Sequence, residues 1–247
     1  DCEIKAMKKP EATEEQMCEK FAGVSKKASE KLKKITEASE STINTAAETA
    51  VGIMLQAYSG SRDVVFGKVV SGRNADMQGI ENMVGLFINT IPVRVRTEKD
   101  TTVSELLKQQ QKQGTDSTNY DYCSLAEIQS MTAQGSELIK VLYVFENYTS
   151  GLNTSDEQAE GSQITLDAAR EQTNYAISIS GFEEEGQLMF KLMYDPNKYC
   201  EEEINMILDR LIKICEEMAE KPDGLVSELE TVTEKEKALI LNDFNAT

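Results

Sequence analysis

The seven residues Ile139-Lys140-Val141-Leu142-Tyr143-Val144-Phe145 contain a single charged side chain. Successive side chains of a β-strand point to opposite faces, so a run that is apolar at nearly every position suits a central strand covered on both faces. Such a strand needs layers to cover it, and the sequence supplies amphipathic helices. Ile43, Ala46, Ala47, Ala50, Val51, Met54, Leu55 and Tyr58 recur at helical spacing, and their small members suit close packing on a sheet. Ser39-Glu40-Ser41-Thr42 offers this helix an N-cap, and Ser59-Gly60-Ser61 ends it. Ile204, Ile207, Leu208, Leu211, Ile212, Cys215 and Met218 form a second apolar face, stopped by Lys221-Pro222-Asp223-Gly224. Further helices are expected from Ser25 to Ala38, from Thr101 to about Gln113 with Val103, Leu106 and Leu107 inward, and from Ser124 to Met131.

Val64 to Val70 reads as a strand interrupted by Gly67, running into the turn Ser71-Gly72-Arg73-Asn74. Ile91 to Arg96 alternates like a strand that Pro92 marks as starting or lying at an edge. Tyr175, Ile177 and Ile179, then Leu188, Phe190 and Leu192, alternate on two strands joined through the turn Glu183-Glu184-Glu185-Gly186. Residues 149–163 are a polar loop, and residues 1–24 carry no assignable pattern. The fold class is therefore α/β, a mixed sheet covered by helices, without internal repeats or coiled-coil heptads.

The chain has no histidine. Imidazole is the side chain whose ordinary pKa lies nearest neutrality, so its absence excludes Ser-His-Asp, Cys-His and His-metal mechanisms within this chain. The 43 acids against 26 bases argue against a general DNA or RNA binder, which needs Lys and Arg to neutralise phosphates. Residues 151–247 hold 22 acids and 8 bases, a net of −14 of the total −17. Glu201-Glu202-Glu203 suits a helix start. Lys26, Lys27, Lys31, Lys33 and Lys34 suit the wet face of one helix. No apolar run approaches the roughly 20 residues of a membrane span, and Asp1 to Lys5 lacks the apolar stretch of a signal peptide, so a soluble, cytoplasmic protein is expected. Cys2, Cys18, Cys123, Cys200 and Cys215 show no metal-ligand spacing and are expected to be reduced thiols; no metal site is expected.

Neither a P-loop nor a GxGxxG motif is present. Two segments carry candidate chemistry. In Val70-Ser71-Gly72-Arg73, a turn after a strand exposes backbone N–H groups, and Arg73 is either a solvated surface residue or a bidentate partner for phosphate or carboxylate. In Val84-Gly85-Leu86-Phe87-Ile88-Asn89-Thr90, Gly85 permits close backbone approach, while Asn89 is an amide among apolar neighbours that must find partners in backbone or ligand.

Taken together and in order, Asp63 to Arg73 and Met83 to Val95 resemble two motifs from the C-terminal half of a condensation domain of a non-ribosomal peptide synthetase. Weaker similarities follow in Ser124-Leu125-Ala126-Glu127-Ile128-Gln129, Val144-Phe145-Glu146-Asn147-Tyr148 and Thr173-Asn174-Tyr175. The resemblance implies one lobe of a two-lobed, chloramphenicol-acetyltransferase-like fold over residues 1–230, with residues 231–247 as a linker toward an adenylation domain. The family's His-His-x-x-x-Asp-Gly motif belongs to the N-terminal lobe, so the resemblance implies no catalytic residue here and no activity for this piece alone. It further implies an amide-forming enzyme of antibiotic or secondary-metabolite biosynthesis. Its partners would be the N-terminal lobe, donor and acceptor carrier proteins and the adenylation domain. No cofactor would be bound by this chain itself, because phosphopantetheine arrives on the carriers. Ser71, Gly72, Arg73, Gly85, Asn89 and Thr90 would then line the substrate tunnel or the lobe interface, with Asn89 near a substrate or pantetheine arm. A carrier-binding module without catalysis, or a lobe from a related epimerisation or cyclisation domain, would share these motifs. The sequence departs from the family at Asn74 and Ser124, where Pro is common, and at Tyr120, where His is common.

Overall fold

The computed structural model describes residues 2–7, 16–73, 78–146, 173–238 and 241. The expectations for Asn74, Asn147, Tyr148, the loop at 149–163 and the linker residues 239–240 and 242–247 lie outside the described residues. In chain order the elements are strand β1 (Cys18–Gly23), helices α1 (Lys26–Ala38) and α2 (Ile43–Ser59), strands β2 (Asp63–Val70) and β3 (Asn89–Arg96), and helices α3 (Val103–Ser117) and α4 (Leu125–Ser130). Strands β4 (Val141–Glu146), β5 (Ile177–Glu184) and β6 (Gln187–Tyr194) and helices α5 (Glu201–Glu220) and α6 (Glu234–Ala238) complete them.

The strands form one mixed sheet in the order β1-β6-β5-β4-β2-β3. As its apolar run requires, β4 is interior, parallel to β2 on one side and to β5 on the other. The register places Phe66, Val93, Tyr143, Ile179, Phe190 and Leu192 on one face, where they share a buried core with Leu32 of α1, Met54 of α2, Leu106 of α3 and Leu211 of α5. Each such fully buried side chain stabilises the fold by about 1.5–3 kcal/mol. Cover on both faces of β4 is met fully on only one of them. Val141 and Tyr143 are buried against the helices, whereas Leu142 and Val144 on the opposite face are half-buried. Ile139 reaches that opposite face and explains the glycine in β2, because a Cβ at Gly67 would stand 2.8 Å from the Ile139 Cγ2.

The element ends follow the expected chemistry. The Thr42 Oγ1 accepts the Thr45 N–H at 3.1 Å, and Gly60 closes α2 in the left-handed region at φ 66°. Glu185 and Gly186, both at positive φ, make the two-residue turn between β5 and β6. The α1 lysines are less free than a wet face implies: Lys31 pairs with Glu220 at 2.5 Å and Lys33 with Glu183 at 2.6 Å. Pro92 lies on an edge strand as expected, and the Gln113 side chain blocks the open edge by accepting from Arg94 N at 3.1 Å and donating to Arg94 O at 2.8 Å. Residues 1–24, read as patternless, contain β1, which pairs antiparallel with β6 at the other edge.

Candidate functional site

The β2–β3 hairpin ends in the pair Val70 and Asn89, and the chain between them leaves the sheet as a strap, described at 71–73 and 78–88. Its two ends are fastened to each other. Gly72 has φ 65°, and a Cβ there would lie 1.8 Å from the Phe87 carbonyl oxygen, so the turn is seated directly on the returning backbone. The next residue, Arg73, donates through Nη1 to the carbonyls of Ile80 at 2.6 Å and Met83 at 3.0 Å. Its guanidinium carbon stands 4.4 Å from the centre of the Phe87 ring. Arg73 is thus half-buried against its own strap, held by backbone carbonyls and a ring. The Ser71 hydroxyl receives the Arg73 N–H at 3.4 Å, and a Cβ at Gly85 would meet the Phe87 ring at 3.2 Å.

While Phe87 turns toward Arg73, its neighbours face solvent. Val84 and Leu86 are exposed by 104% and 89%, and Ile88 by 64%. Isolated exposed apolar residues are ordinary on protein surfaces, but alternate large apolar side chains on one short strap make a patch that water does not favour.

Asn89 sits where the strap rejoins the sheet. Its Nδ2 donates to the carbonyls of Asp121 at 2.8 Å and Cys123 at 2.7 Å, and its Oδ1 accepts the Thr90 N–H at 2.9 Å. The partners left open in the sequence are thus backbone groups, and Asn89 positions the loop that carries the exposed Tyr120 and Tyr122. Thr90 points to the other face, with its methyl toward Gly67.

One feature of this end of the sheet escaped the sequence reading. Lys68, on the same face as Asn89, reaches Glu48 of α2 with Nζ 2.5 Å from Oε2, and both side chains are largely buried. Burial raises the Glu48 carboxyl above its ordinary value although Lys68 pulls it down. Beside them the Tyr143 hydroxyl donates to Asn44 Oδ1 at 3.0 Å, and burial pushes its pKa well up. The signal was available: Glu48 is the only charge in α2, and Lys68 the only one between Val64 and Val70. Among the described residues, no group of three or more His, Cys, Asp or Glu side chains could hold a metal ion, and no helix is long and apolar enough to cross a membrane.

A family model described as "Condensation domain" matches residues 5–241. Bacitracin synthase 3 of Bacillus licheniformis is 37% identical over 230 residues, which cover 93% of this chain and 4% of that protein. Tyrocidine synthase 3 of Brevibacillus parabrevis is 37% identical over 238 residues, 96% of this chain and again 4% of the relative. The chain thus spans a small part of the curated relatives it matches. Among solved structures, a four-domain nonribosomal peptide synthetase bound to AMP and glycine superposes with a TM-score of 0.76 at 17% identity, over 95% of this chain and 19% of its own. The first condensation domain of the CDA synthetase superposes with a TM-score of 0.68 at 16% identity, over 88% of this chain and 48% of its own.

Proposed function

The chain belongs to the condensation-domain family, and from that premise we propose that it is the C-terminal lobe of a two-lobed condensation domain in a non-ribosomal peptide synthetase. The observation that carries this reading is one of size. The matched chain of the first condensation domain of the CDA synthetase is covered over only 48% of its length by 88% of this one, which leaves room for a second lobe as large as the first. The motifs at Asp63–Arg73 and Met83–Val95 support the C-terminal half by their resemblance to that lobe. Two features agree with the assignment. The chain lacks the histidine of the family's active-site motif, and its strap presents apolar side chains that an intact domain would cover.

In the intact domain, donor and acceptor enter as thioesters of carrier-protein phosphopantetheine arms. The acceptor amine attacks the donor thioester carbonyl, a proton leaves the nitrogen, the donor thiol departs and an amide forms. The histidine of the other lobe serves that proton transfer or holds the amine for attack. This lobe supplies a wall of the tunnel: the strap meets the opposite lobe, and Asn89 shapes the acceptor side through the loop at residues 121–123. Residues 231–247 lead toward an adenylation domain. A cytoplasmic setting goes with this reading.

The test is to join this chain to the segment preceding it in its own synthetase, supply loaded donor and acceptor carriers, and detect the product by mass. The joined protein is expected to form amide and this chain alone none. Carrier binding without product in the joined protein would instead identify a non-catalytic docking module.

A further inference from the structure

Between the described ends of the strap, Ser71-Gly72-Arg73 makes the fastenings: Gly72 seats on the Phe87 carbonyl, and Arg73 engages two carbonyls and a ring. Ile80 opens the 3-10 turn Ile80–Asn82 and its carbonyl also accepts the Met83 N–H at 3.3 Å, while the Met83 carbonyl lies just past the turn, where no further turn of helix supplies a donor. Ile80 is buried and anchors the turn by packing, but Val84, Leu86 and Ile88 bury little surface, so the returning segment depends on the guanidinium rather than on a core. Lysine keeps the charge but is a compact ammonium without the planar group that lies over Phe87, so it replaces the guanidinium only in part.

We propose that Arg73 is a positioning residue for amide formation: it braces the strap so that Val84, Leu86 and Ile88 meet the opposite lobe in one fixed arrangement. The proposal rests on the lobe assignment above. A pre-shaped strap pays less ordering entropy on docking, and the gap between lobes then stays constant, which matters because misplacement of about 1 Å between reacting groups is costly in rate. Arg73 acts through the strap and touches neither substrate nor carrier.

Two measurements test it. In this chain, Arg73→Lys and Arg73→Ala should each speed hydrogen exchange of the backbone amides at residues 79–88 by about tenfold or more, while the melting temperature moves by only a few degrees. In the joined two-lobed protein, both variants should lower kcat by about tenfold and leave KM for the acceptor carrier within about twofold; Arg73→Ala combined with Leu86→Ala should be no worse than the poorer single variant. Unchanged exchange overturns the brace. Additive losses, or a KM that rises and depends steeply on salt, overturn action through the strap and point to a direct anionic partner. A joined wild-type protein that makes no amide removes the lobe assignment and with it the catalytic half of the proposal, while the exchange measurement still decides the brace.

Discussion

The carbonyl oxygen of Phe87 occupies the space beside Gly72 so closely that a Cβ there would lie 1.8 Å away. Gly72 also has φ 65°, where an L side chain is strained by about 1–3 kcal/mol before any clash is counted. The backbone oxygen cannot rotate aside, so Gly72→Ala should unfasten the strap without unfolding the core. Limited proteolysis should cut residues 78–88 about tenfold faster or more, with the circular-dichroism melt nearly unchanged.

Asn89 spends both amide hydrogens on the Asp121 and Cys123 carbonyls. Asn89→Ala removes these two bonds and the one that Oδ1 accepts from the Thr90 N–H, each worth about 0.5–1.5 kcal/mol. Asn89→Asp is expected to be worse at pH 7 although it is closer in shape, since it sets a carboxylate against two carbonyl oxygens. Urea denaturation should rank the stabilities Asn, Ala, Asp, with the gap between Ala and Asp closing near pH 4 as the new carboxyl protonates. In the joined two-lobed enzyme, Asn89→Ala should also lower turnover.

Lys68 and Glu48 form a buried pair, and removing one member of such a pair leaves a charge without compensation. Lys68→Met should cost about 3–5 kcal/mol at pH 7, and adding Glu48→Met should recover most of it. Because burial raises the folded pKa of Glu48, the stability linked to its proton is fully present below the unfolded value of about 4.3 and is lost as pH rises through the folded one. Without Lys68 that folded value rises further. The Lys68→Met penalty should therefore be smaller at pH 5 than at pH 7, read from urea midpoints.

Burial pushes the Cys215 thiol far above the ordinary range, while Cys2, Cys18, Cys123 and Cys200 are partly accessible. A thiol-reactive disulfide reagent should label those four in the native protein and reach Cys215 only after denaturant is added. Labelling of Cys215 at native rates would contradict its place in the core.

The sequence pattern located most of the fold because the elements that matter carry dense periodic signals. The expected helix from Ile43 to Tyr58 matches α2 almost to the residue, and the strand from Ile139 to Phe145 is interior. Strand β1 was missed because Cys18-Glu19-Lys20-Phe21-Ala22-Gly23 has little pattern of its own; its long-range register with β6 makes it a strand. The glycine in β2 and the half-cover of β4 depend on which side chains cross which face, which no local window reports. The candidate segments at Ser71–Arg73 and Gly85–Thr90 were recognisable, but their mutual fastening was not: the Arg73 contacts join residues seven and ten positions apart through a turn. The Glu48–Lys68 pair left a legible trace, one charge in each of two apolar runs, whose meaning appears only when the sheet and helix meet.

The most direct measurement of the central claim is amide formation by the two lobes supplied as separate polypeptides. With loaded donor and acceptor carriers present, this chain is titrated into the upstream lobe. The account predicts no product from either piece alone and a rate that climbs with this chain until it saturates at one equivalent. Product from this chain alone, or a rate from the upstream lobe that this chain does not change, would contradict it.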